Sequence, residues 1–444
     1  MGIHYGNRTS GNFDQKSNSL SIVVNTELIP DSTIQLILKG KVDAEINWGD
    51  GTIEGPISNG ESINDTLAVQ HTYNSNGNFR ITVSGEFQGF RVSDGEEGLI
   101  TISSFGQTAG LVDLSEACKG AVNLVKIPNA NLDNILPSTV TNLSGFFEGC
   151  IKFNLSVEFW DVSNVTDIES IFREARLFNK PLNSWNTSNC ASFRNVFREA
   201  TSFNQPLDSW DVSSTSVTES MFQGASSFNR PINSWNVSQL ENAARMFKEA
   251  RSFNQNLDQW QTDKLENIEE IFQDAFNFNG SVNSWNVSNV TIFNRIFQNT
   301  AFNKPLDNWD VSAAVNMNEM FRGASEFDQD ISNWNVSNVT SMERMFQGAE
   351  SFDQPLNDWN VSKVTSMRSM FQDATKFNQD ISNWDVSNVT DITEMFYNAN
   401  DFNQNINDWY MSNKTDLYRV FREARNFNQP LDAWDVSNHV SRSK

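Results

Sequence analysis

Two residues able to exchange a proton lie near the start of the chain: Asp50 in Trp48-Gly49-Asp50-Gly51-Thr52, and His71 in His71-Thr72-Tyr73. Brought together, a carboxylate and an imidazole make a general acid–base pair. Taken alone the two invite that reading, but a structural role is the one preferred here. The thiols are Cys118, Cys150 and Cys190, an odd number with no CxxC spacing, so neither a disulfide framework nor a zinc site is expected. Cys118 and Cys150 follow Ala117 and Gly149, which predicts small buried thiols. His4, His71 and His439 stand far apart, which suggests no metal cluster. A glycan hydrolase would need two carboxylates in one cleft, roughly 5–10 Å apart. Acidic residues abound, but none occupies a unique, motif-breaking context, so no catalytic, cofactor or metal residue is assigned and the chain is read as no enzyme.

The elements that would position any site are repeats. Trp160, Trp185, Trp210, Trp235, Trp260 and Trp285 recur every twenty-five residues, and Trp309, Trp334, Trp359, Trp384, Trp409 and Trp434 continue the series after a one-residue deletion. The deletion lies in Phe297-Gln298-Asn299-Thr300-Ala301-Phe302, where sister repeats space their Phe residues by six. Such periodicity means stacked copies of one unit. In the unit 338–362, Val339, Met342, Met345, Phe346, Ala349 and Phe352 fall at spacings of three and four, which predicts one face of a short helix begun at Thr340. An Asn/Asp-Gln-Pro segment ends it, and Trp359 and Val361 alternate with Asn360 and Ser362 as in a half-buried strand. The expected fold class is therefore an α/β repeat solenoid, a short helix plus a short strand per coil with a parallel sheet, preceded by a small all-β sandwich. Because packed helices need roughly 8–10 Å and stacked strands about 4.8 Å, the rod should curve with strands on its concave side. The Phe and Trp ladders are read as core.

The residue after each Trp then projects outward in one column: Asp161, Asn186, Asp211, Asn236, Gln261, Asn286, Asp310, Asn335, Asn360, Asp385, Tyr410 and Asp435. No two Asp are neighbours, which relieves repulsion and lets Asn hydrogen-bond along the ladder. A calcium-binding column is the sharper reading, but isolated carboxylates start such a site poorly. The column residues other than Gln261 are the candidate ligand contacts, with the surface pairs Arg173-Glu174 and Arg422-Glu423 beside them. The recurrent Asn-x-Ser/Thr triplets, such as Asn236-Val237-Ser238, recur with the turn and need not be glycosylated.

Four segments follow: an N-terminal arm over 1–18, a β-sandwich over 19–105, degenerate capping repeats over 106–155, and regular repeats over 156–444. Ser21–Val24, Thr33–Leu38 and Phe79–Val83 carry the sandwich's strand patterns. The last coil has no evident cap after Trp434, so another protomer or another protein is expected there. The formal net charge of -23 opposes nucleic acid and anionic membrane. The first residues do not read as a secretory signal, and no stretch has the apolar length of a membrane span.

The array, in which Met345-Phe346 through Trp359-Asn360-Val361-Ser362 is a close copy of Met-Phe-x-x-Ala-x-x-Phe-Asn-Gln-x-Leu-x-x-Trp-x-Val-Ser, resembles the BspA-like bacterial surface-protein repeat family over roughly residues 111–438. That resemblance implies a leucine-rich-repeat-like solenoid used in attachment, with no catalytic residues. Trp48-Gly49-Asp50-Gly51-Thr52, His71-Thr72-Tyr73, Gly77 and Phe79–Val83 are similar to PKD-type modules, which implies a spacer or a protein- or carbohydrate-contacting domain. The expected function is a non-enzymatic attachment or decoration protein of a bacteriophage virion surface or tail, with a bacterial cell-surface or secreted adhesin as the alternative. The expected partners are a protein held by the arm and sandwich, one at the uncapped end, and a host-surface glycan or protein receptor. No cofactor is expected.

Overall fold

The computed structural model describes residues 18–60, 65–106, 110–128, 136–410 and 415–434. Most of the expected arm, as well as Asp435, His4 and His439, therefore lies outside the described residues. Eight strands come first: β1 (Leu20–Asn25), β2 (Thr33–Lys39), β3 (Asp43–Asn47), β4 (Ile53–Ser58), β5 (Thr66–Thr72), β6 (Asn78–Glu86), β7 (Gly89–Asp94) and β8 (Leu99–Ser104). They form two antiparallel sheets, ordered β4-β3-β6-β1-β8 and β5-β2-β7. Alternation sets their faces: in β2, Ile34, Leu36 and Leu38 are fully buried while the residues between them are only half-buried.

The repeats correct the α/β expectation. Among the described residues there is no α-helix; the only helical turns are the 3-10 pieces Thr26–Leu28 and Glu96–Gly98 in the sandwich. The apolar residues of the motif are buried as expected, Met342, Met345, Phe346, Ala349 and Phe352 all at 0% exposure. They are carried by tight turns instead. Arg344 and Gly348 hold left-handed φ values of 53° and 71°, and the pattern recurs at Ser369 and Asp373 and again at Glu394 and Asn398. An α-helix needs negative φ throughout and sends each N–H to the carbonyl four residues back. Here a left-handed residue at every fourth place turns alternate N–H groups out of the coil. The N–H groups of Met342, Arg344, Phe346 and Gly348 donate to the carbonyls of Ser366, Arg368, Met370 and Gln372 in the next coil, at 3.1, 2.8, 2.9 and 2.7 Å. Short bonds such as Ala349 N–H to the Phe346 carbonyl, 3.0 Å, close the turns between them.

The parallel sheet is corrected as well. Parallel pairing between coils is confined to isolated single-residue bridges, as at Ser341, Ser366 and Asp391, at the position read as the helix start. Trp359 and Val361 do point inward and Asn360 outward, but the segment forms no strand. Without helices thickening one side, the expected curvature loses its cause. Ring spacings are similar around the coil: Phe346–Phe371 5.6 Å, Phe352–Phe377 6.0 Å and Trp384–Trp409 6.1 Å, all stacked.

The short coil keeps these rungs. Thr300 takes the place of the usual small residue, its hydroxyl donating to the Phe297 carbonyl at 2.8 Å, and Phe302 still stacks on Phe278 at 6.0 Å.

At the other end the sandwich closes the first coil. Gly89 of β7 bridges Asp113, which continues the column to Asn142 and Asp167, and Thr101 of β8 bridges Lys126. A Cβ on Gly89 would stand 1.8 Å from the Asp113 carbonyl oxygen, so that join requires glycine. Phe105 touches the rings of Phe146 and Trp160, which makes sandwich and coils one continuous core. Truncating one rung should be costly: Phe346→Ala is expected to destabilise the chain by about 3–5 kcal/mol, read as a fall in the urea midpoint followed by tryptophan fluorescence.

Candidate functional site

Every described column residue after a Trp is exposed: Asp161, Asn186, Asp211, Asn236, Gln261, Asn286, Asp310, Asn335, Asn360, Asp385 and Tyr410, the last at 74%. Asp435 lies outside the described residues. The hydrogen bonding differs from the expected ladder. The Oδ1 of Asp211 accepts the N–H of Ser213 at 2.9 Å, that of Asn236 the N–H of Ser238 at 3.1 Å, and that of Asp385 the N–H of Ser387 at 3.1 Å. Asp161, Asn186, Asn286, Asp310, Asn335 and Asn360 do the same. Each is an Asx turn, in which a short polar side chain imitates a backbone turn. Asp and Asn are interchangeable acceptors there, which is why they alternate freely. Hydrogen bonds from the Ser hydroxyl and Ser N–H hold Asp161, Asp211, Asp310 and Asp385 below the usual carboxylate range.

The true ladder sits elsewhere, and sequence reasoning missed it. The Asn or Asp after each second Phe accepts, through Oδ1, the N–H of its equivalent one coil later: Asn179 from Asn204 at 3.0 Å, Asp328 from Asp353 at 3.0 Å, Asp353 from Asn378 at 2.9 Å. The Gln that follows shares the acceptor, as Gln354 Nε2 does on Asp328 Oδ1 at 2.8 Å. The signal was present in the recurring Asn-Gln pair, read only as a helix breaker. The other recurrent polar groups are spent the same way. Each indole from Trp185 onward reaches back one coil, Trp359 Nε1 donating to the Ile331 carbonyl at 3.2 Å. Asn338 Nδ2 donates to the Ser312 carbonyl at 2.9 Å, and Thr365 Oγ1 to that of Thr340 at 3.1 Å.

Charges gather on the turns. Arg245, Glu270, Arg295, Glu319 and Arg344 occupy one left-handed column with alternating sign, in successive contacts of 3.2, 3.0, 3.1 and 3.8 Å. Lys248 and Arg322 add contacts of 2.8 Å each to Glu270 and Glu319. Burial pushes both carboxyls up, but the Lys248 and Arg295 bonds on Glu270, and the Arg295 and Arg322 bonds on Glu319, outweigh it and settle both below the ordinary range. Of the predicted surface pairs, Arg173 contacts Glu174 at 3.4 Å and Glu148 at 3.3 Å, while Arg422 lies over the Tyr397 ring, 5.9 Å from its centroid.

Asp50 and His71 do meet, Oδ2 to Nε2 at 2.8 Å. The other carboxylate oxygen accepts the Thr52 N–H, and the imidazole stacks on Trp48 and meets the edge of Tyr73, whose hydroxyl donates to the Trp48 carbonyl. The pair thus locks the β3–β4 turn against β5. Burial pushes the Cys150 and Cys190 thiols up to about 12 and raises that of Cys118 as well, which leaves all three protonated at neutral pH. Among the described residues no group of three acidic, Cys or His side chains could hold a metal ion.

Against known proteins, the family model described as a mycoplasma protein of unknown function, DUF285, matches residues 112–229, 207–301, 280–374 and 352–444. No curated protein matches the chain. A solved leucine-rich repeat protein from Bacteroides ovatus is 12% identical and aligns over 79% of this chain and 94% of its own, with a TM-score of 0.29, too loose a likeness to carry an argument.

Two outcomes test the site. Asp211→Ala should cost roughly 0.5–1.5 kcal/mol by losing the turn bond, whereas Asp211→Asn should be near neutral, both read from urea midpoints. Because Glu270 and Glu319 are depressed in the folded chain, their stabilisation is complete above their ordinary value of about 4.5 and drains as pH falls through the folded values. The melting temperature should therefore fall as the pH is taken below about 4.5, and more shallowly in Glu319→Gln.

Proposed function

We propose, for a chain that belongs to the DUF285 family of mycoplasma proteins of unknown function, a non-enzymatic role as a surface-displayed structural and attachment protein. The observation that carries the reading is the use to which recurrent residues are put. Trp, Phe, the Asn-Gln pair, Asn and Thr of the motif are committed to holding one coil on the next. What varies from coil to coil is the exposed polar surface, which suits recognition rather than chemistry. The array is read as BspA-like and the sandwich as PKD-like; the Trp48, Asp50, His71 and Tyr73 cluster supports the second likeness.

Two settings suit such a protein, a bacteriophage virion surface or tail and a bacterial cell surface, where it would meet a glycan or protein receptor. Membership of a family described from mycoplasma supports the cellular one. The test is retention of the full chain on intact bacterial cells and on an immobilised glycan panel, compared with a variant carrying Asp161→Asn, Asp211→Asn, Asp310→Asn and Asp385→Asn. Those substitutions keep the turns and change only the surface charge. Saturable retention that shifts several-fold in the variant is expected. Release of reducing sugar, abolished by a single carboxylate substitution, would overturn the reading; so would no retention on any surface.

A further inference from the structure

The sandwich meets the coils by one edge of each sheet. β7 ends the three-stranded sheet and bridges Asp113; β8 ends the five-stranded sheet and bridges Lys126. The opposite edges are β4 and β5, and they are built differently. β4 carries the devices that keep an edge strand from pairing: Pro56, which has no N–H to offer, the charge of Glu54, and a break in its register on β3 between Ala44 and Ile46. β5, Thr66-Leu67-Ala68-Val69-Gln70-His71-Thr72, has none of them. It holds no Pro, Lys, Arg, Asp or Glu, and it runs along β2 from Thr66 to Thr72 without a shift.

Along an antiparallel strand, successive residues turn their N–H and carbonyl to opposite sides. Tyr73 N–H donates to the Ser32 carbonyl at 2.9 Å, and Gly40 N–H to the Asp65 carbonyl at 3.0 Å. The odd-numbered residues between them therefore face β2, and Thr66, Ala68, Gln70 and Thr72 turn their main-chain groups away from it. Among the described residues no main-chain group bonds to those four, and all four are exposed.

We infer that β5 is the pairing strand of a homodimer, in which two copies meet edge to edge and antiparallel and merge their three-stranded sheets into one of six strands. The strand matches its own two-fold image. Centred on Val69, the pairing sets Thr66 opposite Thr72 and Ala68 opposite Gln70, so every outward N–H and carbonyl of one copy meets its complement in the other. Thr opposite Thr is a favourable cross-strand pair, and a two-fold joint closes on itself. Charge selects this strand as well. At a net charge of -23 two copies repel over most of their surface, whereas β5 brings no carboxylate to the joint and the flanking Asp65 residues fall at its opposite ends. Because β7 and the coils lie at the far edge of the sheet, the two arrays stand on opposite sides of the joint. The seven residues of β5 are well short of the roughly 20–30 a side of a standard interface, so dissociation in the micromolar range is expected.

Sedimentation velocity of the full chain over a micromolar concentration series should show a reversible monomer–dimer equilibrium. Ala68→Pro removes an outward N–H and none that β2 uses, and should weaken the dimer roughly tenfold or more. Gln70→Glu leaves the main chain intact and should weaken it too, most at low salt. Amide hydrogen exchange on the unaltered chain needs no variant: Ala68 and Gln70 should gain protection as concentration rises, while Val69 and His71, already bonded to β2, should not. A monomer at every concentration, a dimer that survives both substitutions, or protection that rises elsewhere but not on β5 would each overturn the inference.

Discussion

The structure rests on where a peptide N–H goes at a left-handed residue. In each coil Arg344 and Gly348, or their equivalents, turn the backbone so that alternate N–H groups leave the coil and meet carbonyls of the next. A non-glycine residue with positive φ is uncommon because Cβ crowds the backbone. The strain is tolerated at every coil because it places four main-chain bonds between coils, where a helix would have kept them within one. Aromatic rungs then add apolar burial along the same axis, at roughly 1.5–3 kcal/mol for each large side chain. Cohesion is thus directional and local, coil to coil.

Much of this was legible in the sequence. The Trp interval set the repeat, the three-and-four spacing named the buried residues, and the alternation around Trp359 placed Asn360 outside. The conformation of the turns was not legible. Met342, Met345, Phe346 and Ala349 face inward from a helix and from a chain of tight turns alike, so apolar periodicity could not separate the two. The deciding residues were those at the Arg344 and Gly348 positions, where Glu, Arg, Ser, Asn, Asp and Gly all occur. Only the recurrence of Gly at 120, 149, 224, 323 and 348, at a place an α-helix would disfavour, hinted at the answer.

The residues after each Trp are exposed, as the alternation predicts, but their types have a different reason. Asp and Asn after each Trp were read as a ladder separated to avoid repulsion; they are turn acceptors bonded to their own chain. The ladder that does join coils begins with the residue after the second Phe, where Asp328 and Asp353 are neighbours and their side-chain oxygens each accept a backbone N–H. Main-chain donors offset the repulsion that the alternation argument made decisive. Recurrent polar residues in such a motif report on architecture.

The missing residue between Phe297 and Phe302 has a wider meaning. The rings on either side remain stacked, and Asn303 still donates its N–H to Asn279 at 2.9 Å. The stack therefore keeps its register through the rings even where a coil is one residue short. A gene encoding such a chain could gain or lose whole units by unequal crossing-over, even between units of different length, and still translate into a registered column. Length, and with it reach, becomes a quantity that recombination is free to adjust.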